Sequence, residues 1–105
     1  NSGKQKMGVN ISIKNIDTGK ESADFDSMRK HGDSEFVDLV IEDWFDNFKT
    51  DYENEFFGDY GAKRPKDFNS LSNSIVNSSL PDKQRFLGMV ELLSNDEKLA
   101  INISD

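Results

Sequence analysis

Apolar and polar residues alternate at both ends of this 105-residue chain. Val9, Ile11 and Ile13 alternate with Asn10, Ser12 and Lys14, and Leu99, Ile101 and Ile103 with Ala100, Asn102 and Ser104. A period of two sends one set of side chains to one face, so each segment predicts a half-buried strand. Between them the period lengthens. Phe36, Val37, Val40, Ile41, Trp44, Phe45 and Phe48 recur at spacings of three and four. That spacing predicts an amphipathic helix, capped by Asp33 or Ser34 and with Glu35 in its first turn. The helix is expected to run on toward Phe56 or to break near Lys49. Another is expected from Asp67, with Phe68, Leu71 and Ile75 on one side; its Asn and Ser content makes it depend on packing. Ser79-Leu80-Pro81-Asp82 reads as a third helix start, with Ser79 as cap, Pro81 in the first turn and Asp82 as the capping-box acid. Phe86, Met89, Val90 and Leu93 follow at helical spacing, and Asn95 ends the run.

The connections carry turn chemistry. Asp17-Thr18-Gly19-Lys20 supplies a turn in which Gly19 can take positive φ, and Phe57-Gly58-Asp59-Tyr60-Gly61 reads as a loop. From Glu21 to His31 the pattern is weak. An irregular segment or a short strand near residues 20–26 is expected there, with Phe25 and Met28 docking on the core. The order strand, helices, strand predicts an α+β fold: a small sheet pairing the N- and C-terminal strands, covered by two or three helices. The polar outer face of that sheet is left either free or available to a second copy. Residues 1–7 read as an expression remnant or disordered leader, and 8–105 as a single α+β domain.

Composition narrows the chemistry. The chain has no cysteine, which excludes disulfides, thiolate metal sites and cysteine nucleophiles. No apolar run approaches the roughly 20 residues of a membrane span. No secretory signal pattern is present, so a cytoplasmic setting is expected, and the three Asn-x-Ser sequons at Asn10, Asn77 and Asn102 read as chance.

Charge changes the picture most. Between Asp33 and Asp59 stand ten carboxylates (Asp33, Glu35, Asp38, Glu42, Asp43, Asp46, Asp51, Glu53, Glu55, Asp59) and one cation, Lys49. That stretch carries −9, against +2 before it and zero after it, which recovers the whole-chain −7. On a helix, Asp38, Glu42 and Asp46 are successive i,i+4 like-charge pairs, each mildly destabilising, with local relief from Lys49 alone. A solvated face that aids solubility is the plain reading. The functional one is a surface for a protein partner with a basic patch, formed by Glu35, Asp38, Glu42, Asp43 and Asp46. Tyr52, Phe57 and Tyr60 would add aromatic anchors if exposed, whereas Tyr52, Phe56, Phe57 and Tyr60 folded back would merely extend the core. A sharper version is nucleic-acid mimicry, occupying a basic cleft of a partner. From Glu35 to Asp46 a helix rises about 16 Å, roughly one charge per 3–4 Å against one per ~1.7 Å of duplex. Direct nucleic-acid binding is not expected. Lys63, Arg64 and Lys66 form the one basic cluster, expected to be a solvated loop.

Catalysis finds little purchase. Asp24-x-Asp26, or Asp51, Glu53, Glu55 and Asp59, offer oxygen ligands, yet neither set fits an EF-hand loop. A metal-assisted hydrolase is therefore the remote alternative, and no cofactor is expected. His31 beside Asp33 suggests a His–Asp pair, which at a helix entry is usually structural. The chain lacks a nucleophile elbow, a phosphate-cradling loop and a dinucleotide fingerprint.

Met7-Gly8-Val9-Asn10-Ile11-Ser12-Ile13, Gly32-Asp33-Ser34-Glu35-Phe36, Arg85-Phe86 and Leu92-Leu93 together resemble small uncharacterised phage or prophage proteins. The resemblance implies a bacterial host cell and an accessory role such as antagonism of a host defence, with no catalytic residues to carry over. In that role a nucleic-acid mimic would block a basic cleft of a host defence protein. Together with the charge pattern, the reading is a non-enzymatic binding domain.

Overall fold

The two alternating segments do pair with each other. A computed structural model describes residues 9–38, 48–51, 53–58 and 60–104. In it β1 (Asn10–Asn15) runs antiparallel to β4 (Leu99–Ser104), with Ile11 opposite Ile103 and Ile13 opposite Ile101. These four side chains are at most 1 % exposed and form the floor of the core. Two further strands, β2 (Phe48–Asp51) and β3 (Ala62–Pro65), extend the sheet. The order is β1-β4-β3-β2, all antiparallel, so the fold is α+β as the pattern implied.

Phe48 and Lys49 therefore belong to a strand, and the long helix expected through them does not reach that far. Phe48 is buried from the sheet, opposite Pro65, where its bulk serves the core as well as it would on a helix. The observed helix, α1 (Asp33–Phe36), is entered through Gly32 at φ +85° and has no side-chain cap. Val37 keeps helical angles beyond it. Val40, Ile41, Trp44 and Phe45 lie outside the described residues. Phe36 stacks on Phe86 with ring centroids 4.6 Å apart.

The later helices stand where periodicity put them. In α2 (Phe68–Asn77), Asp67 caps the start by accepting the Ser70 N–H at 3.1 Å, and Leu71 and Ile75 are fully buried. In α3 (Lys83–Asn95), Phe86, Met89, Val90 and Leu93 face inward. Its start differs from the expected one. Ser79 is not the cap and Asp82 is not in the first turn; Asp82 precedes the helix at φ +57° and meets Arg29 Nε at 3.1 Å. The chain is held off helical geometry here because Leu80 is anchored in the core and Gly32 abuts Pro81 closely.

Segment 20–26 supplies a single bridge rather than a strand, Lys14 with Glu21, flanked by Asn15 N–H to Lys20 O and Ser22 N–H to Ile13 O. It shields part of the outer edge of β1. Phe25 docks as expected, but Met28 is 84 % exposed. Polar contacts, Arg85 to the Asp26 carbonyl and Arg29 to Asp82, hold this segment instead.

The back of the sheet is not free either. Ser12 and Asn102 are buried although polar, because the β2–β3 connection crosses over them. Gly58 N–H donates to Asn102 Oδ1, Asn102 Nδ2 to Ser12 Oγ, Lys14 Nζ to the Phe56 carbonyl and Asn54 Nδ2 to the Ile16 carbonyl, all at 2.9–3.1 Å. Ser12 and Asn102 thus find partners in each other and in the Gly58 N–H, as their burial requires.

Candidate protein-binding surface

The described part of the acidic stretch lies on two separate segments, residues 33–38 and residues 53–58. On the helix side, Asp33 turns inward: its Oδ2 accepts the Ile11 N–H at 2.9 Å. On the other side, Gly58 lies over Asn102, whose register partner is Ser12. Asp33 thus meets β1 at Ile11, whereas Asn54 and Phe56 reach the opposite end of that strand, at Ile16 and Gly19. Exposed in the two segments are Glu35, Asp38, Glu53 and Glu55. Glu42, Asp43, Asp46, Tyr52 and Asp59 lie outside the described residues, and Asp51 is the last residue of β2.

Asp33 leaves this surface altogether. Expected as a cap, it is 1 % exposed and its Oδ1 sits 2.6 Å from Arg85 Nη1. The guanidinium also donates to the carbonyl of Asp26 through Nε and Nη2, and reaches that of His31 at 3.4 Å. It packs 4.4 Å from the Phe25 ring. Asp33 takes Arg85 rather than His31 as partner, and the His31 side chain is exposed. A sequence shows no sign of such a pair, since 52 residues separate its members.

The aromatic residues mostly fold back. Tyr60 packs against the core, Phe57 is half-buried with Lys14 Nζ 6.0 Å from its ring, and Phe56 lies against Gly19.

The expected solvated loop at Lys63, Arg64 and Lys66 is overturned. Lys63 and Arg64 lie in β3, and only Lys66 is exposed. Lys63 is fully buried, its Nζ 3.2 Å from Thr50 Oγ1, and burial lowers the ammonium's pKa below the ordinary lysine value. Arg64 donates to the carbonyls of Leu93, Asp96 and Leu99, closing the C-terminal end of α3 onto β4. Arg64, Lys14 and Lys83 donate to backbone carbonyls, Lys14 to Phe56 and Lys83 to Val76, while Arg29 pairs with Asp82, Lys98 with Asp17 and Arg85 with Asp33. Among the described residues, no three His, Cys, Asp or Glu side chains gather as metal ligands, and no helix is long and apolar enough to cross a membrane. A comparison of the chain with protein-family models, curated proteins and solved structures finds no match.

Proposed function

We propose that this is a non-enzymatic binding domain that engages a basic surface on a protein partner through the acidic stretch Glu35 to Asp59. The observation that carries the reading is the separation of charge. Nine carboxylates and one cation occupy residues 34–59. Meanwhile Arg64, Lys14 and Lys83 donate to backbone carbonyls, and Arg85 is committed to Asp33. Such a localised field raises encounter rates with a cationic partner and sets orientation more than it sets final affinity. The phage-like features of the sequence make a bacterial protein the partner class, and a cytoplasmic setting goes with it.

The test is affinity capture from bacterial lysate with the immobilised protein beside a Glu35→Lys/Asp38→Lys/Glu53→Lys/Glu55→Lys variant. The expected result is one specifically retained protein, lost from the variant and weakened by raised salt. Equal retention by the two proteins refutes the reading. Displacement of the captured protein by duplex DNA would identify the interaction as mimicry.

A further inference from the structure

We propose that an open hollow on the back of the sheet binds a small monocarboxylic acid with a compact apolar body, of the size and shape of benzoate. The hollow has a volume of about 140 Å³ and is lined by Ile16, Lys49, Thr50, Ala62, Arg64 and Ala100. It lies across the strands: Ile16 follows β1, Ala100 stands in β4, Ala62 and Arg64 in β3, and Lys49 and Thr50 in β2. Ala100 alternates with the core residues Leu99 and Ile101, so it belongs to the back face. Residues 53–58 cover that face at Ser12 and Asn102, and Asn54 reaches it again at Ile16, beside the hollow.

Shape comes first. Alanine is a poor strand former, and Ala62 and Ala100 stand in the two inner strands, where β-branched residues would fill the space. With Ile16 they give the hollow an apolar floor. Its volume is close to the ~150 Å³ of a dry apolar cavity that takes up benzene, so it admits one ring and little more.

Charge is the independent observation. Lys49 and Arg64 are register partners, directly opposite each other on one face of the β2–β3 pair. Like charges so placed destabilise a sheet. Among the described residues no carboxylate forms an ion pair with either. Arg64 uses Nη1 and Nη2 on three carbonyls, and its Nε–H takes no partner among the described residues. Asp96 and Glu97 act on it at longer range, yet burial still lowers its pKa. Lys49 is exposed. A carboxylate bound here offsets the repulsion between the two cations and offers an acceptor to Nε, while the ring covers the alanines. Asp51 comes next on that face of β2, opposite Ala62. A second negative charge on the ligand would meet it, which selects a monoanion.

The experiment titrates the whole ¹⁵N-labelled protein at constant ionic strength with benzoate, acetate, benzylamine and phthalate. Benzoate should give saturable amide shifts at Ile16, Lys49, Thr50, Ala62, Arg64 and Ala100. Its Kd should be no weaker than about 10 mM, the value for a nine-atom ligand of ordinary efficiency. Acetate lacks the ring, benzylamine has the wrong charge and phthalate carries one charge too many, so each should bind more weakly. Ala62→Val, which fills the floor with a better strand former, should weaken benzoate roughly tenfold. Lys49→Gln should weaken it roughly three- to fivefold without lowering Tm, and reads the charge even if valine at 62 perturbs the sheet. Glu35→Lys/Glu55→Lys should not weaken it, so this proposal and the acidic-stretch reading fail separately. No saturable shift with benzoate, shifts centred away from the hollow, an equal response to any of the other three ligands, or binding unchanged by Lys49→Gln would overturn the proposal.

Discussion

Replacing Arg85 by alanine should be the most damaging single change at a charged residue in this protein. Its side chain is 5 % exposed and Asp33 is 1 % exposed. Without the guanidinium, a buried carboxylate keeps only the Ile11 N–H of its two named contacts, and the Asp26 carbonyl loses two donors. Breaking one member of a buried ion pair costs about 3–5 kcal/mol, mostly because the survivor stays charged and out of water. A chain of this length has a total stability of about 5–15 kcal/mol, so the variant stands near the limit of folding. Two companions separate charge from contact. Asp33→Asn retains an oxygen for Ile11 but removes the ion pair, and combined with Arg85→Met it leaves no unpaired charge; the double variant should recover much of the loss. Arg85→Met with Asp33→Leu leaves the Ile11 N–H without its acceptor and should recover less, by about 1–3 kcal/mol. Urea unfolding followed by tryptophan fluorescence, with constant m-values, gives the four free energies. A cost below about 1 kcal/mol for Arg85→Ala, the size of an exposed pair, would refute the argument.

Four smaller predictions follow from single positions. Gly19→Ala should destabilise strongly, since φ is +75° and the new Cβ would lie 2.5 Å from the Phe56 ring; loss of Tm with weakened protection of the Ile16 and Phe56 region in hydrogen exchange checks it. Gly88→Ala, with open space around the new methyl, should stabilise by about 0.5–1 kcal/mol in the same urea assay. Asp67→Ala should lower Tm at neutral pH. The Ser70 N–H holds the Asp67 pKa below its ordinary 3.8, so the charged cap contributes above that value; the gap to wild type should narrow as pH falls through the lowered pKa. Lys63→Met works on the alkaline side. Burial lowers the Lys63 pKa, so the unfolded chain binds its proton more tightly, and wild type should gain on the variant as pH rises toward 10.5.

What the sequence made legible follows from how local each cause is. β1, β4, α2 and the body of α3 are set by side-chain period, which names their core faces, although β4 is buried on its other face as well. β2 and β3 escaped because four residues carry no usable period. Lys63 and Arg64, taken as solvated by composition, are inside because β3 is placed between β4 and β2. Asp33 had every local attribute of a cap, yet the edge of β1 competes for its carboxylate and wins through Arg85. Ser12 and Asn102 looked outward on alternation alone, and only the crossing of residues 53–58 covers them. Of the proposed binding residues, Glu35 and Asp38 are exposed, whereas Phe57 and Tyr60 are turned largely to structure.

The placement of cations makes the functional proposals separable from stability. Arg85 joins α3 to the start of α1 and the edge of β1, Arg64 joins β3 to the end of α3, and Lys14 joins β1 to the crossing loop. Each is a junction between segments distant in sequence, so its removal acts on the fold. Glu35, Glu55 and Glu91 occupy exposed positions outside those junctions. Exposed substitutions of this kind usually shift stability by no more than about 0.5 kcal/mol. Loss of partner capture on reversing Glu35 and Glu55, with Tm unchanged, is therefore assignable to the surface itself. Were either reversal to unfold the protein, the carboxylate would have to be a structural counter-charge, and the division between junction cations and surface acids argued above would be wrong.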